Sequence, residues 1–265
     1  MHFGAYIRFI IVKRHHLLLL AITFTATCSL LADENTRALQ ARLKEGGFYF
    51  GEVNGEYTSE TAAAVTRYQI RNGLEISGQL DGKTAKSLGI SPPVANEPAP
   101  QTTSETWNRL RKSDEQFLKK LDANQRPPTA NDSGTNPEFA QTFVLSRERL
   151  RDYVAGFVLA GLDPSVDAEL EFFADRVKYF NEGTVDREKI RRDLERYNQR
   201  WPSRRFWLDG QVEVQPRPDS RLRVTFPLRY ELRNGPKHSS GRVRKTLVVE
   251  VTGEDLQIVA VDERR

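Results

Sequence analysis

The chain has 265 residues, with 40 Lys and Arg against 36 Asp and Glu, for a formal net charge of +4. That length suits two modest domains. Three of the bases, Arg8, Lys13 and Arg14, precede the first acid, Asp33; taking those 3 from 40 leaves 37 bases against 36 acids, a balance that speaks against nucleic acid as a partner.

The N-terminal run is positively charged and then apolar from Leu17 to about Leu31, with the small residue Ala32 just before Asp33. This is the pattern of a secretory signal over residues 1–32, and it predicts a secreted or periplasmic protein. An uncleaved membrane anchor is the alternative. Cys28 is the only cysteine; it follows Thr25, Ala26 and Thr27, which lack the aliphatic residue usual ahead of a lipidated cysteine. Membrane association is expected only if the signal is retained or Cys28 carries a lipid.

Residues 33–90 follow as three short amphipathic patterns separated by glycine-rich turns. Leu39 and Leu43 lie four apart on one helical face. Thr58 is placed to cap a helix carrying Ala62, Val65, Tyr68 and Gln69, and Asp81 to cap a last helix that ends at Gly89. The pieces LQARL, GFYFGEVNGEYTSETAAAV, RYQIRNGL and SGQLDGKTAKSLG stand in this order between Leu39 and Gly89.

Taken as a set, those pieces resemble the three-helix peptidoglycan-binding domain of bacterial cell-wall hydrolases and envelope proteins. The resemblance implies a small helical bundle that binds peptidoglycan without cleaving it. It also implies a shallow groove lined by Tyr49, Asn54, Thr61, Gln69 and the turn from Gly78 to Leu80. The competing reading packs Tyr57, Tyr68 and Leu80 into the small core and assigns Gly51, Gly55 and Gly78 to backbone geometry. Asn54 stands where the family often has aspartate; both suit a tight turn.

Residues 91–104, with Pro92, Pro93, Pro98 and Pro100, read as a linker. A helical segment is expected over 105–123, with Trp107, Leu110, Phe117, Leu118 and Leu121 as its apolar stripe. It could dock on a neighbour, self-associate or serve as a spacer. Residues 124–137 read as a second linker, so the second domain is expected to be presented flexibly.

Residues 138–265 open with a helix carrying Leu150, Tyr153, Val154, Phe157 and Val158, with Ser146 as a possible cap. Asp163-Pro164 turns the chain into an expected second helix from Pro164 to Ala174, then a short strand with Val177 and Tyr179. Asp186 caps a helix with Ile190, Leu194 and Tyr197 along one side. From Phe206 the period changes to two; Leu222, Val224, Phe226, Leu228, Tyr230 and Leu232 form one strand face, and Asn234-Gly235 and Gly253 mark turns. Pro227 predicts an edge or bulge.

The overall expectation is multidomain: an all-α three-helix bundle followed by an α+β domain whose helices back a curved antiparallel sheet. The element order of the second half resembles the nuclear-transport-factor-like, ketosteroid-isomerase-like (cystatin-like) cone fold. That resemblance implies a concave pocket for ligand binding, or a dimerising domain that would make the protein a homodimer. It rests on no residue motif, so no functional residue is carried over from it.

Residue inventory limits the chemistry. Beyond residue 32 the only histidine is His238 and no cysteine remains. Zinc hydrolysis and cysteine-based transpeptidation therefore lack their groups. No cofactor, metal or catalytic residue is expected. The runner-up is a wall hydrolase or small-molecule enzyme with its site in the C-terminal pocket, using acids such as Glu169, Glu171 and Asp175 or the set Asp175, Tyr153, Tyr179 and Tyr230. Those acids also read as solvated helix charges and those tyrosines as core. His238 beside Ser239 and Ser240 reads as a hairpin tip. In the segment Trp201 to Trp207 the tryptophans are expected to close the core while Arg204 and Arg205 reach outward. Arg242, Arg244 and Lys245 read as a solvated strand face.

Overall fold

A computed structural model describes residues 34–93, 103–112, 147–252 and 255–265. The expected signal segment, Cys28, the linker residues 94–102, Phe117 to Leu121, the linker 124–137, Ser146 and Gly253 lie outside the described residues.

Helix α1 spans residues 34–45, α2 Ser59–Arg71 and α3 Gly82–Leu88. Thr58 Oγ1 accepts from the Thr61 amide, and Asp81 accepts from the amides of Lys83 and Thr84 at 2.8 and 2.9 Å, so both expected caps form. Gly89 closes α3 in the left-handed region at φ 68°. Leu39, Leu43, Tyr49, Ala64 and Val65 make a small core, flanked by Phe48, Tyr57, Tyr68 and Leu80.

Helix α4, Ser104–Lys112, docks. It lies against α2 and against α5, Arg147–Ala160, and buries Trp107 and Leu110. A Cβ on Gly156 of α5 would stand 3.0 Å from Leu110 Cβ and 3.2 Å from the Trp107 carbonyl, so the close crossing of α4 over α5 depends on that glycine.

The expected long second helix contracts to α6, Asp167–Leu170. The residues after it, Phe172 and Phe173, are both fully buried and lead directly into β1, Phe173–Tyr179. Both rings pack edge-on against Phe157, and Phe172 forms a turn: its amide donates to the Glu169 carbonyl at 3.2 Å and its carbonyl accepts from the Ile258 amide at 2.7 Å, so the chain joins the sheet there instead of continuing the helix. A short β2, Thr184–Asp186, precedes α7, Arg187–Arg200, which Asp186 caps at 2.8 Å.

The remaining strands are β3 Ser203–Leu208, β4 Glu213–Arg217, β5 Arg221–Asn234, β6 Lys237–Thr252 and β7 Asp255–Arg264. The sheet order is β2-β1-β7-β6-β5-β3, with β4 also on β5. The helix-backed sheet is as expected with one difference: β1 pairs with β7 in parallel, so the sheet is mixed. Helices α5 and α6 precede β1, and α7 connects β2 at one end of the sheet to β3 at the other.

Pro227 lies in the middle of β5, yet it costs the ladder little. On that side β3 runs out opposite Leu228 and β4 begins opposite Thr225, so Pro227 faces the gap between two partner strands. Its carbonyl accepts from Asp209 at 3.0 Å, and Gly210 provides the space its ring needs.

The two halves are not flexibly joined. Ala63, Ile70 and Ile76 belong to the same apolar core as Trp107, Leu110 and α5. Arg67 donates to Asp152 at 2.9 Å with both side chains buried, and Arg71 donates to Glu148 and Asp152 at 2.6 and 2.9 Å. Burial pulls the Arg71 guanidinium down, but Asp152 and Glu148 outweigh it and hold its pKa above the ordinary value. Beyond α2, Glu75 bridges to Trp207, the Ile76 amide donates to the Phe206 carbonyl at 2.9 Å, and Arg205 pairs with Glu75. The flexible presentation expected from the linkers is therefore corrected: residues before the linker continue the edge of the C-terminal sheet.

Candidate functional site

In the N-terminal bundle two buried glutamines hold the loops. Gln40 on α1 donates its amide toward the Glu56 carbonyl at 2.9 Å and toward Asn54 Oδ1 at 3.2 Å, with Tyr49 Oη and Thr61 Oγ1 each at 3.3 Å. Its Oε1 accepts from the Gly55 amide at 2.9 Å. Gln69 on α2 does the same for the next loop. It accepts from the amides of Ser77 and Gly78, both at 3.0 Å, and donates to the Gln79 carbonyl at 2.9 Å and to Ser77 and Thr84 hydroxyls at 3.1 Å. An amide side chain has both donors and an acceptor at its tip, so one buried glutamine can close a loop whose backbone groups would otherwise be unpaired.

Tyr57 joins the two loops, its hydroxyl donating to the Gly78 carbonyl at 2.7 Å. Burial pushes that phenol far above its ordinary pKa. The loops 51–57 and 77–81 are thus tied together.

This geometry revises the expected groove. Tyr49, Thr61 and Gln69 are 3 %, 0 % and 0 % exposed and spend their side-chain polar atoms on internal bonds, the Thr61 hydroxyl donating to the Glu56 carbonyl at 3.3 Å. Burial also raises the Tyr49 phenol pKa. Leu80 packs on the small core and Gly78 is buried. Of the six expected groove residues only Asn54 is exposed. The reason is chemical: tyrosine, threonine and glutamine look equally suited to binding a glycan and to pinning a loop, and only burial separates the two. Gln40, the hub of the first loop, carries no sequence signal beyond its position one residue after Leu39. A Cβ on Gly51 would lie 2.6 Å from Tyr49 Oη and 2.8 Å from a Glu60 carboxylate oxygen, so those side chains would have to shift to admit one.

The C-terminal half contains a second candidate, a cavity of about 450 Å³ between α5, α7 and the sheet. Phe157, Phe173, Phe206, Tyr179, Tyr197 and Tyr230 contribute ring surface, and three acids, Glu169, Asp193 and Glu263, and three bases, Arg200, Lys245 and Arg265, contribute charge. Two of the four candidates for proton transfer are brought here, Tyr179 and Tyr230. Tyr153 is a core residue whose hydroxyl donates to the Leu256 carbonyl at 3.2 Å. The Asp175 side chain is 94 % exposed and pairs at the surface with Arg187. Glu169, expected as a solvated helix charge, instead lines the cavity, with its carboxylate close to Gly161. Desolvation raises its pKa against the opposing pull of Lys245 and Arg204. Burial raises Tyr179 too, and Tyr197 to about 12.

The Trp201 to Trp207 segment divides. Trp207 is buried beneath the guanidinium of Arg229 at 4.1 Å, whereas Trp201 lines the cavity. Arg204 is held by Asn198 at 2.6 Å and by the Trp201 carbonyl at 3.2 Å. His238 is exposed beside the hairpin tip, while its neighbour Ser239 lines the cavity. Lys245, expected on a solvated face, also lines the cavity and pairs with Glu263 at 3.4 Å.

No curated protein matched the chain. Among solved structures, a nuclear transport factor 2-like protein with a cystatin-like fold from Novosphingobium aromaticivorans shares 17 % identity, covering 51 % of this chain and 90 % of that one with a TM-score of 0.38. A nuclear transport factor 2-like superfamily protein from Salmonella enterica shares 12 %, covering 49 % of this chain and 92 % of that one with a TM-score of 0.37. Residues 32–88 match the family described as "Putative peptidoglycan binding domain".

Proposed function

We propose that this is a cell-envelope protein that binds peptidoglycan through residues 33–90 without cleaving it, and that its C-terminal half is a ligand-binding domain held rigidly against that module. The observation that carries the first part is the family match over residues 32–88. The tied loops, 51–57 with 77–81, support a binding surface made from exposed Asn54 and the backbone of the turns. Buried Tyr49, Thr61, Gln69, Gly78 and Leu80 set the shape of those loops. The cavity beneath the sheet supports ligand binding over dimerisation for the second half.

The N-terminal run of residues 1–32 supports export, and wall attachment would then keep the C-terminal half at the wall by raising its local concentration there. The test is co-sedimentation of the full chain with purified sacculi. Retention that is lost on replacing Asn54 and Gln79 together, in a protein that still melts cooperatively, supports the reading. Absence of retention overturns it, and a fall in sacculus turbidity would assign a hydrolase instead.

A further inference from the structure

Reading the cavity as the ligand site of the second half leaves open what it takes, and the charges on its walls bear on that. Asp193 is neutralised from outside by Lys189 at 2.5 Å and by Arg196. Glu263 is engaged by Lys245. Arg204, next to the cavity, is held on Asn198 and on backbone carbonyls. Arg200, which lies over the Trp201 ring at 5.5 Å, and Arg265 also line the cavity. Glu169 differs from the other two acids: Lys245 and Arg204 act on it only through space, and among the described residues its carboxylate makes no hydrogen bond and no ion pair, although it lines the cavity.

The neighbouring surface is aromatic. Phe157, Phe173, Tyr179, Phe180, Tyr197 and Tyr230 all line the same space. Ring faces carry negative potential and attract cations, most strongly where water is excluded. Protein cations already use two of these rings, Arg204 over Tyr197 at 5.9 Å and Lys245 over Phe157 at 5.9 Å. An unpaired carboxyl among ring faces is a poor site for an anion. It also wastes its acceptors on a purely apolar guest.

We propose that the cavity binds a small organic cation, with an ammonium or amidinium head set against Glu169 and an apolar or aromatic body packed between the rings. The proposal rests on the ligand-site reading and adds the charge of the ligand. Binding lets Glu169 form the charge-assisted hydrogen bonds that the protein itself does not supply, and a neutral head of the same size would gain less.

The test is calorimetric titration of the full chain with phenylbutylamine, phenylbutanol and phenylbutyrate, probes that share a body and differ in the head. The amine is expected to bind about tenfold more tightly than the alcohol, and the carboxylate weakest. In Glu169→Gln the amine is expected to lose that advantage while the alcohol keeps its affinity, which also shows that the variant is folded. Equal binding of all three, or an amine preference that survives Glu169→Gln, overturns the cation assignment and leaves the cavity as a ligand site. No binding of any probe at millimolar concentration overturns both.

Discussion

Arg67 Nε donates to Asp152 Oδ2 at 2.9 Å, across 85 positions of sequence, with the two side chains 1 % and 0 % exposed. One residue belongs to the peptidoglycan-binding-like module and the other to the helix that backs the C-terminal sheet. A charge pair so deep is tolerated because each ion has its partner, and Arg71 and Glu148 extend the network. It fixes how the halves meet.

Removing one partner leaves the others uncompensated. Asp152→Ala is expected to cost about 3–5 kcal/mol, read from urea unfolding. Because the core is shared, unfolding should remain a single transition whose midpoint moves as a whole. A loss under about 1 kcal/mol, or two separate transitions of which only one moves, contradicts the shared-core description.

The glutamine hubs predict a separation of stability from binding. Gln69→Ala leaves the Ser77 and Gly78 amides without their acceptor, and is expected to cost about 1–3 kcal/mol. Gln40→Ala should behave alike. Asn54→Ala exposes its turn to water and is expected to cost no more than about 1 kcal/mol while weakening sacculus retention. If Gln69→Ala leaves the melting temperature unchanged and abolishes retention, the side chain contacts the wall and the assignment as a loop pin is wrong.

Gly156 gives a test of the docked helix α4. Alanine is a better helix former than glycine by about 1 kcal/mol, so an open site would be stabilised. Here the added methyl meets the Trp107 carbonyl and the Arg111 amide, which are backbone and cannot rotate away. Gly156→Ala is expected to destabilise by about 1–3 kcal/mol, as overpacking does. A raised melting temperature would show that α4 does not pack there.

Glu169 makes a prediction in pH. Burial raises its folded pKa, so the folded state holds the proton more tightly than the unfolded chain. Its contribution to stability is fully present below the unfolded carboxylate pKa and is lost as pH rises through the folded value. Glu169→Gln should therefore be more stable than the parent at neutral pH, with the difference vanishing near about pH 4. Parallel melting curves at both pH values would place Glu169 in solvent.

The caps Thr58, Asp81 and Asp186, the strand face from Leu222 to Leu232, and the three-helix pattern with its family resemblance were legible in the sequence, because each depends on residues within a turn or two of one another. The short α6 is not legible locally, because Phe172 and Phe173 fit a helical stripe. Phe172 instead makes a turn whose carbonyl accepts from the distant Ile258 amide, and Phe173 begins β1. The parallel pairing of β1 with β7 was equally hidden, since nothing local records which strand a chain returns to.

What the sequence by itself determined is the inventory and the local grammar. Beyond residue 32 the chain has His238 as its only histidine and no cysteine, so no site built on two histidines or on a thiol can form from those residues at any fold. Its glycine-spaced helices announce the N-terminal module. Tertiary structure alone decided which polar residues face water. Gln69 turned inward to close a loop, Glu169 turned inward with no partner, and Arg67 found Asp152 from the far side of a linker. Those outcomes depend on desolvation and on contacts between distant segments, which no window of neighbouring residues contains.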